Sequence, residues 1–132
     1  MSKVYDEIKL HLPQKADYLG FIRLSVSGLA SKMGFDIDTI EDIKVAVSEV
    51  CSRIISMNPD ACSDYDIAFQ LFESGLKAVF STDNCPGRDI FEGESGAFAK
   101  AIICSLMDEF DITYGQNCVI TMGKKLGDCV NG

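Results

Sequence analysis

The sequence predicts an α+β domain, a two-layer α/β sandwich with a mixed sheet and helices on one face, in the order β-α-α-β-β-α-β-β. Three observations carry this. Apolar residues alternate in five short stretches, recur at steps of three and four in three longer ones, and the 132 residues suffice for one buried core. No repeat, low-complexity tract or linker interrupts the chain, so residues 1–126 read as a single domain and 127–132, "GDCVNG" with its last small residues, as a short frayed tail.

In "KVYDEIKLHLP", Ile8, Leu10 and Leu12 alternate with Glu7, Lys9 and His11, which predicts a half-buried strand ended by Pro13 with His11 facing solvent. From Gln14 the period changes. Leu19, Ile22, Val26, Leu29 and Met33 mark one face of a helix, and Gly34 follows as its C-terminal stop.

Asp38 with Glu41 three residues on resembles a capping box, and the acids of "DIDTIED" suit a helix N-terminus. Ile40, Ile43, Val47, Val50 and Ile54 then form the stripe of a second helix reaching about Asn58, before Pro59. On its polar side Glu49 stands four residues before Arg53, the spacing of a surface ion pair.

Ile67, Phe69 and Leu71, a turn at Ser74-Gly75, and then Leu76, Ala78 and Phe80 predict a hairpin. "DNCPGRDIFEGESG" is rich in turn formers and reads as loop, and "AFAKAIICSLMDEF" carries helix spacing in Phe98, Ile102, Ser105 and Leu106. "FDITYG" and "CVITMGKKL" close the chain as two strands. Phe21, Met33 and Phe98 are predicted to belong to the core.

Twelve basic and twenty acidic side chains give a formal charge of −8, which argues against direct nucleic-acid binding. No run is apolar enough for a membrane span and no export signal opens the chain, so the expected location is the cytoplasm. Cys51, Cys62, Cys85, Cys104, Cys118 and Cys129 are widely spaced with only His11 as an imidazole, which predicts reduced thiols, several of them buried, and no metal centre.

The run "YLGFIRLSVSGLASKMGFDIDTIEDIKVAVSEVCSRII", resumed by "SLMDEF" and the closing strands, resembles the bacterial anti-sigma-factor serine kinases, RsbW-like proteins of the histidine-kinase-like ATPase superfamily. The resemblance implies that superfamily's sandwich, with ATP held between a helix and a lid. It implies two protein partners, a sigma factor and an anti-anti-sigma protein phosphorylated on serine, and a homodimer formed through the exposed side of the sheet.

The family's site residues carry over unevenly. Its second helix has a glutamate base and, four residues on, an asparagine that coordinates magnesium; here Ser48 and Glu49 match, but the asparagine position is Arg53. A guanidinium has five donors and no acceptor and cannot ligate a cation. Glu49 is thereby predicted to be a vestigial base paired with Arg53.

The family's D-x-G-x turn, which receives adenine, becomes Asp83, Asn84, Cys85 and Pro86, with Gly87 two residues late. Its phosphate-binding G-G-x-G-x becomes Gly96, Ala97, Phe98, Ala99 and Lys100, after a lid region of only twelve residues. Arg53, Asp83, Gly87, Gly96 and Lys100 therefore mark a degenerate nucleotide site, with no cofactor expected, or MgATP if the site still works.

On the first helix Arg23 occupies the family's partner-contacting position; periodicity alone makes it a solvated residue beside the stripe. Three functions compete: a nucleotide-independent partner-switching regulator, favoured because the first helix matches better than the pocket; an active ATP-dependent serine kinase; and a pseudo-ATPase subunit of a heterodimer.

Overall fold

A computed structural model describes residues 4–56, 64–82, 90–115 and 117–127. Strand β1 (Val4–Pro13) leads through a short 3-10 turn at Ala16–Tyr18 into helices α1 (Leu19–Met33) and α2 (Ile37–Ser56). The hairpin β2 (Asp64–Phe72) and β3 (Gly75–Thr82) follows, then helix α3 (Gly93–Leu106) and strands β4 (Glu109–Thr113) and β5 (Cys118–Lys125). The element order is the predicted one.

The five strands lie in the order β1-β2-β3-β5-β4 and every neighbouring pair is antiparallel, where the sequence predicts a mixed sheet. The reason lies in the connections. Two consecutive helices between β1 and β2 bring the chain back for an antiparallel return, and Glu73-Ser74 closes a tight hairpin between β2 and β3. The single helix α3 does connect two strands that run the same way, β3 and β4, but β5 lies between them and pairs antiparallel with both.

The predicted alternation is the observed one. Tyr65, Ile67, Phe69 and Leu71 on β2, Leu76, Ala78 and Phe80 on β3, and Cys118, Ile120 and Met122 on β5 point into one core. The helices cover that face with Ile22, Val26 and Ala30 from α1 and Ile40, Ile43, Val47, Val50 and Ile54 from α2. Burial of this apolar surface is the main force holding the layers together. Gly34 ends α1 at φ 96°, in the left-handed region, and its amide reaches back to the Ala30 and Ser31 carbonyls.

Four local predictions are corrected. The cap of α2 is Asp36, whose Oδ1 accepts the Thr39 amide at 2.8 Å, two residues before the predicted Asp38. Thr39 thereby holds the Asp36 carboxyl below its usual range through bonds from its hydroxyl and its amide. Phe21 and Phe98 are 52% and 70% exposed, outside the core, whereas Met33 does pack against it. Helix α3 starts at Gly93, four residues earlier than its apolar spacing predicts, and buries Gly96, Ala99 and Ile103. Its inward face is small because the helix lies close to the chain that precedes it, so the larger Phe98 is turned out. The last strand ends at Lys125, and of the predicted tail residues 128–132 lie outside the described residues.

His11 faces solvent on β1, as predicted, and gains partners that strand register supplies. It sits opposite Asp66, with Nδ1 2.6 Å from Asp66 Oδ1 and Nε2 3.2 Å from Asp64 Oδ2. Hydrogen bonding to Asp66, then to Asp64, raises its pKa above the ordinary 6.5. A raised folded-state pKa gives stability that is fully present below the unfolded value and lost as pH rises through the folded one. The Tm advantage of the wild type over His11→Ala should therefore be largest near pH 5 to 6 and shrink above the raised pKa. Thermal melts of both proteins across that range check it; a constant gap would show that protonated His11 is not the stabilising species.

Candidate functional site

Helix α2 lies between α1 and α3 and supplies one side chain to each. Its Ser48 and Arg53 do so with opposite roles, one accepting and one donating.

Ser48 is buried in the apolar stripe at 5% exposure. Its Oγ accepts a hydrogen bond from Arg23 Nε at 2.8 Å, so the arginine leans from α1 across to α2. Arg23 itself remains exposed, and it is followed on α1 by Leu24, 74% exposed. It is thus neither a freely solvated residue nor a core one, but a cation fixed by one nitrogen at the seam of two helices.

Arg53 donates toward the start of α3. Its Nε and one terminal nitrogen both reach the Ile90 carbonyl, at 2.9 and 2.6 Å, and the other terminal nitrogen reaches Ser95 Oγ at 3.2 Å. The ion pair with Glu49 that the spacing predicts does not form. A helix spacing of four only makes such a pair possible, and the carbonyl of a buried residue, Ile90 at 2% exposure, takes the fork instead. Glu49 stays half-buried on α2, one residue beyond Ser48.

Gly96 stands in the first turn of α3 and is buried. A Cβ built there would overlap the Phe91 carbonyl carbon and oxygen and lie 2.7 Å from Phe91 Cα. The glycine thus permits the helix to sit on the loop before it. Phe91 in turn is buried and meets Phe110 edge-on, with ring centroids 5.7 Å apart. Lys100 lies on the exposed side of α3 with its ammonium 5.9 Å from the Phe110 ring centroid.

Arg53, Gly96 and the segment from Ile90 to Ser95 therefore come together, while Lys100 is engaged with β4 and Arg23 belongs to the other side of α2. Asp83 and Gly87, with Cys85 and Pro86, lie outside the described residues.

Beside the end of β3 is a polar group that periodicity did not single out. Gln14 Nε2 donates to Thr82 Oγ1 and to the Asp64 carbonyl, both at 3.4 Å, and Gln14 and Thr82 are buried. Tyr65 pairs with Thr82 across the strands and adjoins Cys51. Burial pushes the Cys51 thiol up to about 12 and also raises the Tyr65 phenol, so both stay neutral at physiological pH. Cys51 and Cys118 are buried and Cys104 is exposed; Cys62, Cys85 and Cys129 lie outside the described residues.

Sequence reasoning missed the acceptors of both arginines. Arg23 and Ser48 are 25 residues apart and Arg53 and Ile90 are 37 apart, so no local pattern links them. The available signal was a serine in the middle of an apolar stripe.

No family model matches the chain. Curated relatives do. The serine-protein kinase RsbW of Halalkalibacterium halodurans is 30% identical over 139 residues, covering 92% of this chain and 84% of that protein. RsbW of Bacillus licheniformis is 29% identical and RsbW of Bacillus subtilis 28%, each covering 96% of this chain and 89% of the relative. Among solved structures, the crystal structure of the RsbU and RsbW domains of a Mycobacterium tuberculosis protein superposes with a TM-score of 0.71 at 17% identity. That match covers 92% of this chain and 32% of the other, and is a likeness of fold.

Proposed function

The chain belongs to the family of the serine-protein kinases RsbW, and from that premise we propose that it is a partner-switching regulator that binds its protein partners without nucleotide. The observation that carries this reading is Arg53, whose three guanidinium nitrogens each donate to Ile90 or Ser95.

The residues present do not fit MgATP. Where the resemblance implies an amide oxygen for the metal, this chain has a fixed cation with no lone pair to offer. Opposing it to a divalent ion about 4 Å away would cost several kcal/mol at intermediate dielectric unless the side chain left its hydrogen bonds. Gly96, the one glycine left of the phosphate loop, is packed against the Phe91 backbone. Asp83 and Gly87 are read as remnants of the adenine turn, and Lys100 as a surface cation. Glu49 is a vestigial base.

The partners in this reading are a sigma factor, an anti-anti-sigma protein or both, engaged through Arg23 on α1. A second copy of the chain pairs across the uncovered face of the sheet, and the protein acts in the cytoplasm. Among the described residues no helix is long and apolar enough to cross a membrane.

Calorimetric titration of the purified protein with ATP and ADP, with and without magnesium, is the test. Silence up to millimolar nucleotide is expected, together with complex formation between the nucleotide-free protein and a purified sigma factor or anti-anti-sigma protein of the source organism. Micromolar binding that requires magnesium would overturn this reading, restore Glu49 as a catalytic base and make phosphotransfer to serine the next assay.

A further inference from the structure

We propose that Ser48 is the positioning residue that sets Arg23 for partner binding, an inference that rests on the reading that Arg23 contacts a partner.

Ser48 is a buried residue of α2, in a run where Val47, Val50 and Cys51 are buried too. Alanine would serve such a place better, because it has higher helix propensity and brings no polar group to desolvate. Among the described residues the only hydrogen bond of the Ser48 side chain is the one it accepts from Arg23 Nε at 2.8 Å. A buried serine whose single side-chain hydrogen bond goes to an exposed arginine on the neighbouring helix contributes little to the core and much to the arginine's orientation.

The geometry says what that orientation is. With Nε used, the plane of the guanidinium is fixed and its two terminal nitrogens remain for an acceptor outside the chain; among the described residues neither makes a hydrogen bond. A flexible arginine loses side-chain entropy when a partner immobilises it, whereas one already held by Ser48 has lost part of it on folding. The surroundings fit an interface. Leu24 and Phe21 on the same helix are among the most exposed large apolar residues of the chain, and Arg23 supplies the fixed charge beside them. The bond also ties α1 to the turn of α2 that carries Glu49, so the partner surface on α1 is joined directly to the vestigial site on α2.

The experiment is a binding cycle on the full chain with the purified sigma factors and anti-anti-sigma proteins of the source organism, with Tm measured for every variant. Arg23→Ala should weaken the complex by about 30-fold or more, the size of an interface hot spot. Ser48→Ala should weaken it by about 3- to 10-fold, the worth of one hydrogen bond. Ser48→Thr keeps the hydroxyl and should restore binding.

The decisive variant is the double one. Ser48→Ala combined with Arg23→Ala should bind no worse than Arg23→Ala alone, because a positioning residue acts only through the group it positions. If the Ser48→Ala loss adds in full on that background, or Ser48→Ala binds like the wild type, the proposal is overturned. Should Ser48→Ala fail to fold, Ser48→Cys, of similar size with a weaker acceptor, takes its place in the same cycle. No effect of Arg23→Ala on an otherwise tight complex would overturn the role of Arg23 and, with it, that of Ser48. No complex with any sigma factor or anti-anti-sigma protein would overturn the partner reading itself, an outcome distinct from the others.

Discussion

Arg53→Ala should lower stability by about 2 to 3 kcal/mol, one of the largest effects expected of a polar substitution in this chain. Two of its nitrogens converge on one carbonyl, that of Ile90, at 2.9 and 2.6 Å, and the third holds Ser95 at 3.2 Å. Hydrogen bonds from a charged donor contribute about 1.5 to 3 kcal/mol each when buried, and the exposed bond to Ser95 contributes least. The loss leaves the Ile90 carbonyl without its clamp beside a side chain that is itself part of the core. For a domain of this size the Tm should fall by roughly 5 to 10 °C.

Arg53→Lys should recover only part of this, since one ammonium cannot send two N–H groups to the same acceptor in the geometry of the fork. Arg53→Asn restores the amide that the family resemblance implies, but its side chain is too short to span to Ile90. It should behave like the alanine variant in stability and still fail to bind MgATP. Amide hydrogen exchange gives the local check, because opening of residues 93–99 should quicken in all three variants while the β2–β3 ladder stays protected. A Tm change below about 1 °C would mean that the clamp is not what seats α3, and would remove the main physical obstacle to a nucleotide site there.

What could be read from the sequence follows from the range of the interactions involved. Strand alternation and the stripes of α1 and α2 are local patterns fixed by backbone geometry, and they located Ile67, Phe69, Val26 and Val47 in the core. The antiparallel order was out of reach because it depends on where β5 enters the sheet, between β3 and β4, a choice that no strand encodes alone. Phe98 misled because an aromatic residue at helix spacing usually faces inward; here Gly96 and Ala99 face inward instead, at a contact too close for a ring. The site divided along the same line. Arg53 was legible as a cation on the polar side of α2, but its acceptor, the carbonyl of Ile90, 37 residues on, was not. The hydrogen bond between Arg23 and Ser48 was not legible at all, since it crosses two helices.

Gly96→Ala separates two reasons for keeping a glycine and should cost about 3 kcal/mol, at the upper end for overpacking. If Gly96 were retained for the approach of a phosphate, alanine at this helical position would be neutral or would stabilise by up to about 1 kcal/mol, as helix propensity dictates. The structure gives a different reason. The new methyl would overlap the Phe91 carbonyl and crowd its Cα at 2.7 Å, and these are backbone atoms that cannot rotate away. Either α3 lifts from the loop or Phe91 leaves the core together with its edge contact to Phe110, and both also strain the Arg53 clamp on Ile90, the residue before Phe91. Gly28→Ala is the control: that glycine also lies in a helix, but nothing stands within 4 Å of a Cβ built there, so the variant should be as stable as the wild type or more so. Chemical denaturation of the two variants decides the matter. A large loss at Gly96 with none at Gly28 assigns Gly96 to intrachain packing, as the nucleotide-independent reading requires, whereas equal small gains at both would return Gly96 to a ligand.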